Sequence, residues 1–351
     1  MTNRANKKKY LKKPVRPVEV KPGADVEDLL SRMGSTAFQG RNLSVAVDVW
    51  EDMLKARTTV FFGLDGAMVP AGMREVVVYL IKNRFIDCLV STGANLFHDI
   101  HETLGRRHWQ GSHMMDDNDL KECGIDRIYD VFAVEEEFNE ADRYIYDFSE
   151  RLDKRPYTTR EFLHLLGKDL AKKSSKDGIV SAAFRSKVPV YCPAVADSSI
   201  GIALALKDGP GHLIFDIIGD VKETAVMAAE AVNTGVVYVG GGTPKNFIQQ
   251  TEVTATLMNR DVEGHKYAVQ ITADSPHWGG LSGCTFEEAR SWGKIAKLSR
   301  HVTVNADATI ALPLVVTALA KMMKGFKRRR PAFDFSSCFG VPERIWEQRG
   351  L

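Results

Sequence analysis

Between Asp274 and Lys294 the chain reads DSPHWGGLSGCTFEEARSWGK, a turn-rich loop that passes into a helix. Two tryptophans, four glycines, acidic side chains and a lysine fall within it, a composition that scaffolding alone does not require. A lysine held beside an indole, in a site that excludes water, is easier to deprotonate. It can then attack an imine or carbonyl carbon as an amine nucleophile. That chemistry makes Lys294 a candidate nucleophile and Trp292 its neighbouring wall. The plainer use of the same residues is packing, with Trp292 in a core and Lys294 solvated on the helix. Glu288 is similarly double: Thr285-Phe-Glu-Glu288 matches a capping box, so its carboxylate has a structural task available as well as a chemical one.

A second group of candidates lies where strand-like runs end in small or polar residues. These are Gly66-Ala67 after TTVFFGL (58–64), Thr92-Gly93-Ala94 after IDCLVST (86–92), Gly240-Gly241-Gly242 after GVVYV, and Ala306-Asp307-Ala308 after HVTVN. Glycine lets backbone N–H groups approach a phosphate closely, and an adjoining helix N-terminus adds favourable charge. The pattern suggests a dinucleotide, although no G-x-G-x-x-G is present and GGGTPKN also reads as a plain strand-to-helix turn with Pro at the first helical position. Asp197, in Asp197-Ser198-Ser199, could hold ribose hydroxyls or cap a helix, and Asp307 has the same ambiguity. His98 and His101 lie three apart with Asp99 and Glu102, and His108 and His113 follow. Their spacing matches no metal-ligand pattern, so no metal is expected.

The elements that must position these residues alternate. Helical spacing covers Ala24–Met33 and Leu43–Lys55, and the 58–64 strand leads through DGAMVPAG to a helix that Pro70 would open. The 86–92 strand leads to the helix LFHDIHETLG. Residues 106–119 read as a surface loop, and residues 120–175 as a mainly helical excursion. Strands are expected again at 188–195, 212–218, 235–242, 267–272 and 301–307, with helices over 222–233, from Pro244, and over 308–323. About seven strands joined by helices imply an α/β fold with a doubly wound, mostly parallel sheet and ligand-binding loops at the strands' C-terminal ends. A single domain over residues 24–323 is expected, with a basic tail at 1–23 and another tail at 324–351.

With 351 residues and a formal net charge of +2, the surface is nearly balanced, which gives no reason to expect nucleic acid or an anionic membrane as partner. The basic runs, MTNRANKKKYLKK and KGFKRRRP, border proline and read as solvated tails. Five cysteines, an odd number without a C-x-x-C pair, fit a reducing cytoplasm rather than a disulfide framework or a zinc site. No apolar run is long enough to span a membrane, and the polar N-terminus lacks a signal-peptide core.

Taken together, SWGKI (291–295) with Glu288-Ala289 before it, GGGxPK (240–245), STG (91–93) with His98-Asp99 beyond it, AFQGRNL (37–43) and VNADA (304–308) resemble the deoxyhypusine synthase family. The likeness is colinear from about Leu29 to about Met323. It implies a Rossmann-like NAD-binding fold and a homotetramer with active sites at dimer interfaces. It also implies transfer of the aminobutyl group of spermidine to an amine through a lysine imine. Under it Lys294 is the imine-forming nucleophile, Trp292 lines the polyamine channel and Glu288 pairs with a substrate ammonium. The NAD site would draw on Gly66, Ala67, Met68, Val69, Pro70, Thr92, Gly93, Ala94, Asp197, Gly241, Asp274, Asp307 and Ala308.

Four departures bear on the substrate. Asn246 replaces the expected general-base histidine, and an amide takes no proton at neutral pH. Phe97 and His98 replace paired glutamates, Leu281 in WGGLSG replaces an aspartate, and Ile202 stands where an acidic residue would face the substrate. Each desolvated ammonium needs a carboxylate or comparable acceptor, so these losses predict a changed small amine or polyamine rather than the family's triamine. His98, His277 and Trp278 are side chains that could serve instead, the histidines moving protons and the indole holding an ammonium through its π face. The leading expectation is an NAD-dependent transferase of an aminobutyl-type group between amines. True deoxyhypusine synthase activity on a translation-factor lysine, and a non-catalytic NAD-binding paralogue, are the alternatives.

Overall fold

The computed structural model describes residues 9–206 and 213–328 together with Lys7, Pro331, Phe333 and Phe335. At its centre is a six-stranded sheet whose neighbours all run parallel. In chain order the strands are β1 (Thr58–Leu64), β2 (Cys88–Ser91), β3 (Val190–Tyr191), β4 (Asn233–Val239), β5 (His265–Thr272) and β6 (Ile295–Asn305). They lie side by side as β3-β2-β1-β4-β5-β6. The chain therefore builds outward from β1 in one direction and then restarts on its other side. That reversal leaves a crevice at the C-terminal ends of β1 and β4, where doubly wound folds bind their ligands.

Both faces of the sheet are covered, which is why its strands read as continuous apolar runs. All seven residues of β1 are buried. The period of two survives underneath: Val60, Phe62 and Leu64 join one core, and Phe61 joins the other. Val237 and Val239 against Val236 and Tyr238, and Val269 and Ile271 against Ala268, repeat the division. The first face is closed by the helices Phe38–Lys55 and Ala308–Met322 through Trp50, Leu54, Leu312 and Val316. The second is closed by Ile217–Glu230, Gly242–Leu257 and Phe286–Ser291 through Met227, Ile248 and Phe286. Each large apolar side chain so buried stabilises the fold by about 1.5–3 kcal/mol.

The doubly wound α/β reading holds, with corrections. Among the described residues, the run expected as a strand at 212–218 does not enter the sheet: His212 lies outside them, and Ile214–Phe215 pairs with Pro156–Tyr157. Ile217 and Ile218 instead begin a helix, because Asp216 caps it by accepting the Gly219 N–H at 2.7 Å. The excursion expected to be helical and the surface loop expected before it together carry a three-stranded antiparallel sheet, with Trp109–Gln110 from the loop and Val131–Val134 and Ile125–Ile128 from the excursion. At the C-terminal side, Arg328 departs from the solvated tail expected of it. Its guanidinium donates to the buried Asp87 carboxylate at 2.9 Å, below the N-terminal ends of β1 and β2, and Phe333 and Phe335 pack on the second core.

Candidate active site

The β1 and β2 exits are tied together by Asn95, which is fully buried. Its Oδ1 accepts the Val69 N–H at 3.1 Å, while its Nδ2 donates to Gly66 O at 2.7 Å and to Thr92 Oγ1 at 3.0 Å. Gly66 turns the chain at φ +69, leaving Ala67 and Met68 half-buried before Val69 and Pro70 enter a π-helical turn, Val69–Met73. Such turns recur where backbone must be redirected near a ligand. Thr92 is the N-cap of the Gly93–Thr103 helix, yet no side chain caps it, so the first N–H groups of that helix face the crevice. Ala94 is exposed there.

The β3 exit comes against the same helix end. A Cβ on Gly93 would meet Ser198 Oγ at 2.3 Å, a contact only glycine permits. Ser198 takes the N-cap position of the Ser199–Ala205 helix, so Asp197 does not cap it. The Asp197 carboxylate is exposed and accepts no hydrogen bond among the described residues. Ile202, on the following helix, is 57% exposed.

On the other side of the crevice the glycine turn is less open than its composition predicts. The Gly241 N–H points to Asp65 Oδ2 at 3.3 Å and the Gly242 N–H to Ser282 Oγ at 3.0 Å, so two donors expected for phosphate are already engaged. The backbone of Ser282 lies so near Gly241 that a Cβ would come within 2.3 Å of its Cα. The 274–285 loop therefore rests directly on this turn. Asp274 and Asp307 lie two residues beyond Thr272 and Asn305, the paired last residues of β5 and β6, and both are exposed. Asp307 is engaged as N-cap of the helix that starts at Ala308, accepting from the Thr309 hydroxyl and, at 2.8 Å, from the Thr309 N–H, and those hydrogen bonds hold its carboxyl below the ordinary range.

Lys294 is fixed by backbone on both sides: its N–H donates to Ala289 O at 3.2 Å and its carbonyl accepts the His265 N–H at 3.0 Å. Gly293, at φ +73, makes the turn between the Phe286–Ser291 helix and β6. The ammonium lies 5.5 Å from the Trp292 ring centroid, the juxtaposition expected from the sequence. Water is not excluded from the indole by this chain, since Trp292 is 68% exposed. Only half of the capping box forms. Thr285 Oγ1 accepts the Glu288 N–H at 3.1 Å, but the Glu288 carboxylate turns instead toward Cys284, whose thiol is raised first by burial and further by this carboxylate.

The buried amine is a different lysine. Lys245 is 1% exposed, and its Nζ donates to Cys284 O at 2.6 Å and Gln270 Oε1 at 3.0 Å. Burial lowers its pKa to about 8, with Lys294 pushing the same way and Cys284 and Glu288 opposing. Lys245, Glu288, Cys284 and Lys294 are thus one electrostatic cluster. Sequence reasoning used Lys245 only as part of a motif. The overlooked signal was its place on the stripe Lys245, Ile248, Gln249, Glu252, which is the buried side of the Gly242–Leu257 helix.

The remaining candidates divide. Asn246 is half-buried and lines a cavity of about 170 Å³ with Val221, Thr224 and Phe247, between two helices. His277 and Trp278 are exposed on the 274–285 loop with ring centroids 4.4 Å apart, and His277 Nδ1 is 2.8 Å from Ser275 Oγ. Leu281 is 47% exposed beside them. His98 is buried against His108 on the β2 side of the crevice. No group of metal-ligating side chains suited to an ion occurs among the described residues, and no helix among them is long and apolar enough to cross a membrane.

Relatives match this chain over its length. The sequence profile of deoxyhypusine synthase aligns with residues 28–319. A Methanosarcina mazei protein called probable deoxyhypusine synthase 2 is 54% identical over 331 residues, covering 93% of this chain and 96% of the relative. Its namesake from Archaeoglobus fulgidus is 52% identical over 306 residues, covering 86% and 99%. A crystal structure of a deoxyhypusine synthase candidate from Entamoeba histolytica superposes with a TM-score of 0.63 at 19% identity, covering 90% of this chain and 99% of that one, which speaks to the fold. A sheet in the order β3-β2-β1-β4-β5-β6, a lysine pinned beside an indole at its edge, and a profile spanning residues 28–319 agree: the chain belongs to the deoxyhypusine synthase family.

Proposed function

We propose that this protein transfers an aminobutyl-type group between small amines through an imine on Lys294, with NAD as cofactor. The observation that carries the reading is the Lys294 amine held 5.5 Å from the Trp292 ring, beside Glu288 and the buried Lys245. A neutral amine is the form that attacks carbon. The Glu288 carboxylate, which does not close the capping box, would pair with a cationic substrate group. Trp292 and Trp278 offer π faces to another.

The residues at the strand exits fit a dinucleotide. The uncapped helix start at Thr92-Gly93-Ala94 suits a phosphate, and the unengaged Asp197 carboxylate suits ribose hydroxyls. Gly66 to Pro70, Gly241, Asp274, Asp307 and Ala308 complete the rim. NAD, when bound, supplies the acceptor for hydride leaving the donor's carbon. Trp278, Leu281 and Trp292, exposed at 73, 47 and 68% in a single protomer, support an assembly in which a second copy covers the site, consistent with a homotetramer.

Modification of a translation-factor lysine is the second reading, favoured by the 52–54% identity to proteins called probable deoxyhypusine synthase 2. Incubation with NAD, spermidine and either putrescine or the factor protein, followed by mass spectrometry of each acceptor, separates the two. Mass gain on the small amine alone supports the first reading, and gain on the protein alone overturns it.

A further inference from the structure

Two buried side chains, Lys245 from the Gly242–Leu257 helix and Gln270 from β5, meet between the glycine turn and the 274–285 loop. The Gln270 amide is used at both ends. Its Nε2 donates to Gly240 O at 2.9 Å and to Ser282 O at 2.7 Å, and its Oε1 accepts from Lys245 Nζ at 3.0 Å. Two carbonyl oxygens on one side fix the amide's orientation, since only its NH2 end can face both. The oxygen end then needs a donor, and Lys245 is that donor. The same amine donates to Cys284 O at 2.6 Å, with the Phe286 ring centroid 6.0 Å away. Charged or neutral, a primary amine carries the two N–H groups these oxygens require, so the arrangement holds in either protonation state.

The three carbonyls belong to segments that build the site. Gly240 opens the turn after β4, and Gly242 in that turn donates its N–H to Ser282 Oγ at 3.0 Å. Cys284 immediately precedes Thr285, the N-cap of the Phe286–Ser291 helix. That helix bears Glu288, and its Ala289 carbonyl accepts the Lys294 N–H at 3.2 Å. From the Lys245 amine to the Lys294 backbone, the path therefore crosses one bonded carbonyl, one helix cap and a helix of six residues. The 274–285 loop is closed at its base as well: a Cβ on Gly283 would come within 2.4 Å of Ser275 O.

Burying an amine costs free energy that methionine in the same space would not. What the amine adds is direction. A fully satisfied polar group fixes distances and angles between the segments it joins, whereas apolar packing alone would let a short helix shift along the sheet.

We propose that Lys245 and Gln270 are positioning residues that hold the segment leading to Lys294 in one place against the glycine turn, so that the Lys294 amine is presented to substrate in a single orientation. The inference rests on the transferase reading above. Both side chains act through the carbonyls they hold. Loss of either misplaces the nucleophile without removing it, and a shift of about 1 Å at a reacting atom costs on the order of 10²-fold in rate.

Hydrogen exchange in the unliganded protein tests the clamp apart from activity. In K245M the amides of residues 285–294 should exchange at least about tenfold faster than in the wild type, with those of β1 and β2 unaltered. No change at 285–294, or an equal rise throughout the sheet, overturns the proposal. Gln270→Met keeps the bond from Lys245 to Cys284 and gives the same reading at Gly242 and residues 282–285 should K245M fail to fold. Turnover gives the second measurement. At saturating amine, the borohydride-trapped adduct on Lys294 should form about 10²-fold more slowly in K245M, while NAD affinity stays within about threefold. Combining K245M with Q270M should lose little more than the worse single change, because one clamp is broken either way; losses that multiply overturn it. Asp87→Asn, a destabilising change at the opposite ends of the strands, should leave the rate of adduct formation at the wild-type level. If it slows the adduct as much as K245M does, the effect is one of stability and the proposal falls. A wild type that forms no adduct would count against the transferase reading instead, and hydrogen exchange then decides the clamp.

Discussion

Replacing Lys245 by methionine probes the least expected feature of the site, an amine buried at the start of the Gly242–Leu257 helix with 1% of its surface exposed. A fall in pKa from 10.5 to about 8 means that its charged form is disfavoured in the folded protein. The difference amounts to about 3 kcal/mol. The sign follows from proton counting: between these values the unfolded chain holds the proton and the folded chain does not, so stability rises with pH across that window and is lost as pH falls toward 8. Lys245→Met removes the titrating group at nearly constant volume. It leaves Cys284 O and Gln270 Oε1 without their donor, a cost that does not change with pH. Urea unfolding of both proteins at one protomer concentration, from about pH 7.5 to about pH 10, should show the wild type gaining on the order of 2–3 kcal/mol relative to the variant. A wild-type-minus-variant difference that stays flat across this range would refute the buried, depressed amine and its place in the cluster.

Three further outcomes follow from separate parts of the molecule. Asp87→Asn should destabilise the fold by about 3–5 kcal/mol, since it breaks a buried pair with Arg328, and should speed tryptic cutting at Lys327 and Arg328; unchanged unfolding midpoints and cutting would remove that anchor from the account. Gly93→Ala should cost about 1–3 kcal/mol through its clash with Ser198, and adding Ser198→Gly should restore most of the loss, as thermal unfolding would show. Trp292→Ala should raise KM for the amine about tenfold, with Trp292→Phe in between, if the ring holds a cation; steady-state kinetics giving an unaltered KM would mean the ring does not touch substrate.

What could be read in the sequence, and what could not, divides along physical lines. The strands of the parallel sheet stand out because burial on both faces makes them unbroken apolar runs, and glycine or a small residue marks most of their exits. HLIFDII failed because an apolar run looks the same entering a helix; only Asp216, capping the Gly219 N–H, distinguishes the two. The hairpin joining Ile125–Ile128 to Val131–Val134 was missed because its two-residue turn is Tyr129-Asp130, with Tyr129 at φ +54 rather than an Asn or Gly. In the site, Lys294 beside Trp292 was legible from their spacing. The Lys245 amine was not, because a lysine in a first helical turn ordinarily reaches water. The engagement of Gly241 by Asp65 was equally hidden, since these residues are distant in sequence and adjacent only across β1 and β4.

The central claim is that Lys294 carries the transferred group. Incubating the protein with NAD and a panel of diamines and triamines, reducing with borohydride, and mapping the adduct by peptide mass spectrometry tests it directly. A mass gain is expected on the peptide containing Lys294, one that requires both NAD and a competent amine and disappears in Lys294→Arg. An adduct on Lys245 instead, or none with any amine while NAD binds, would contradict it.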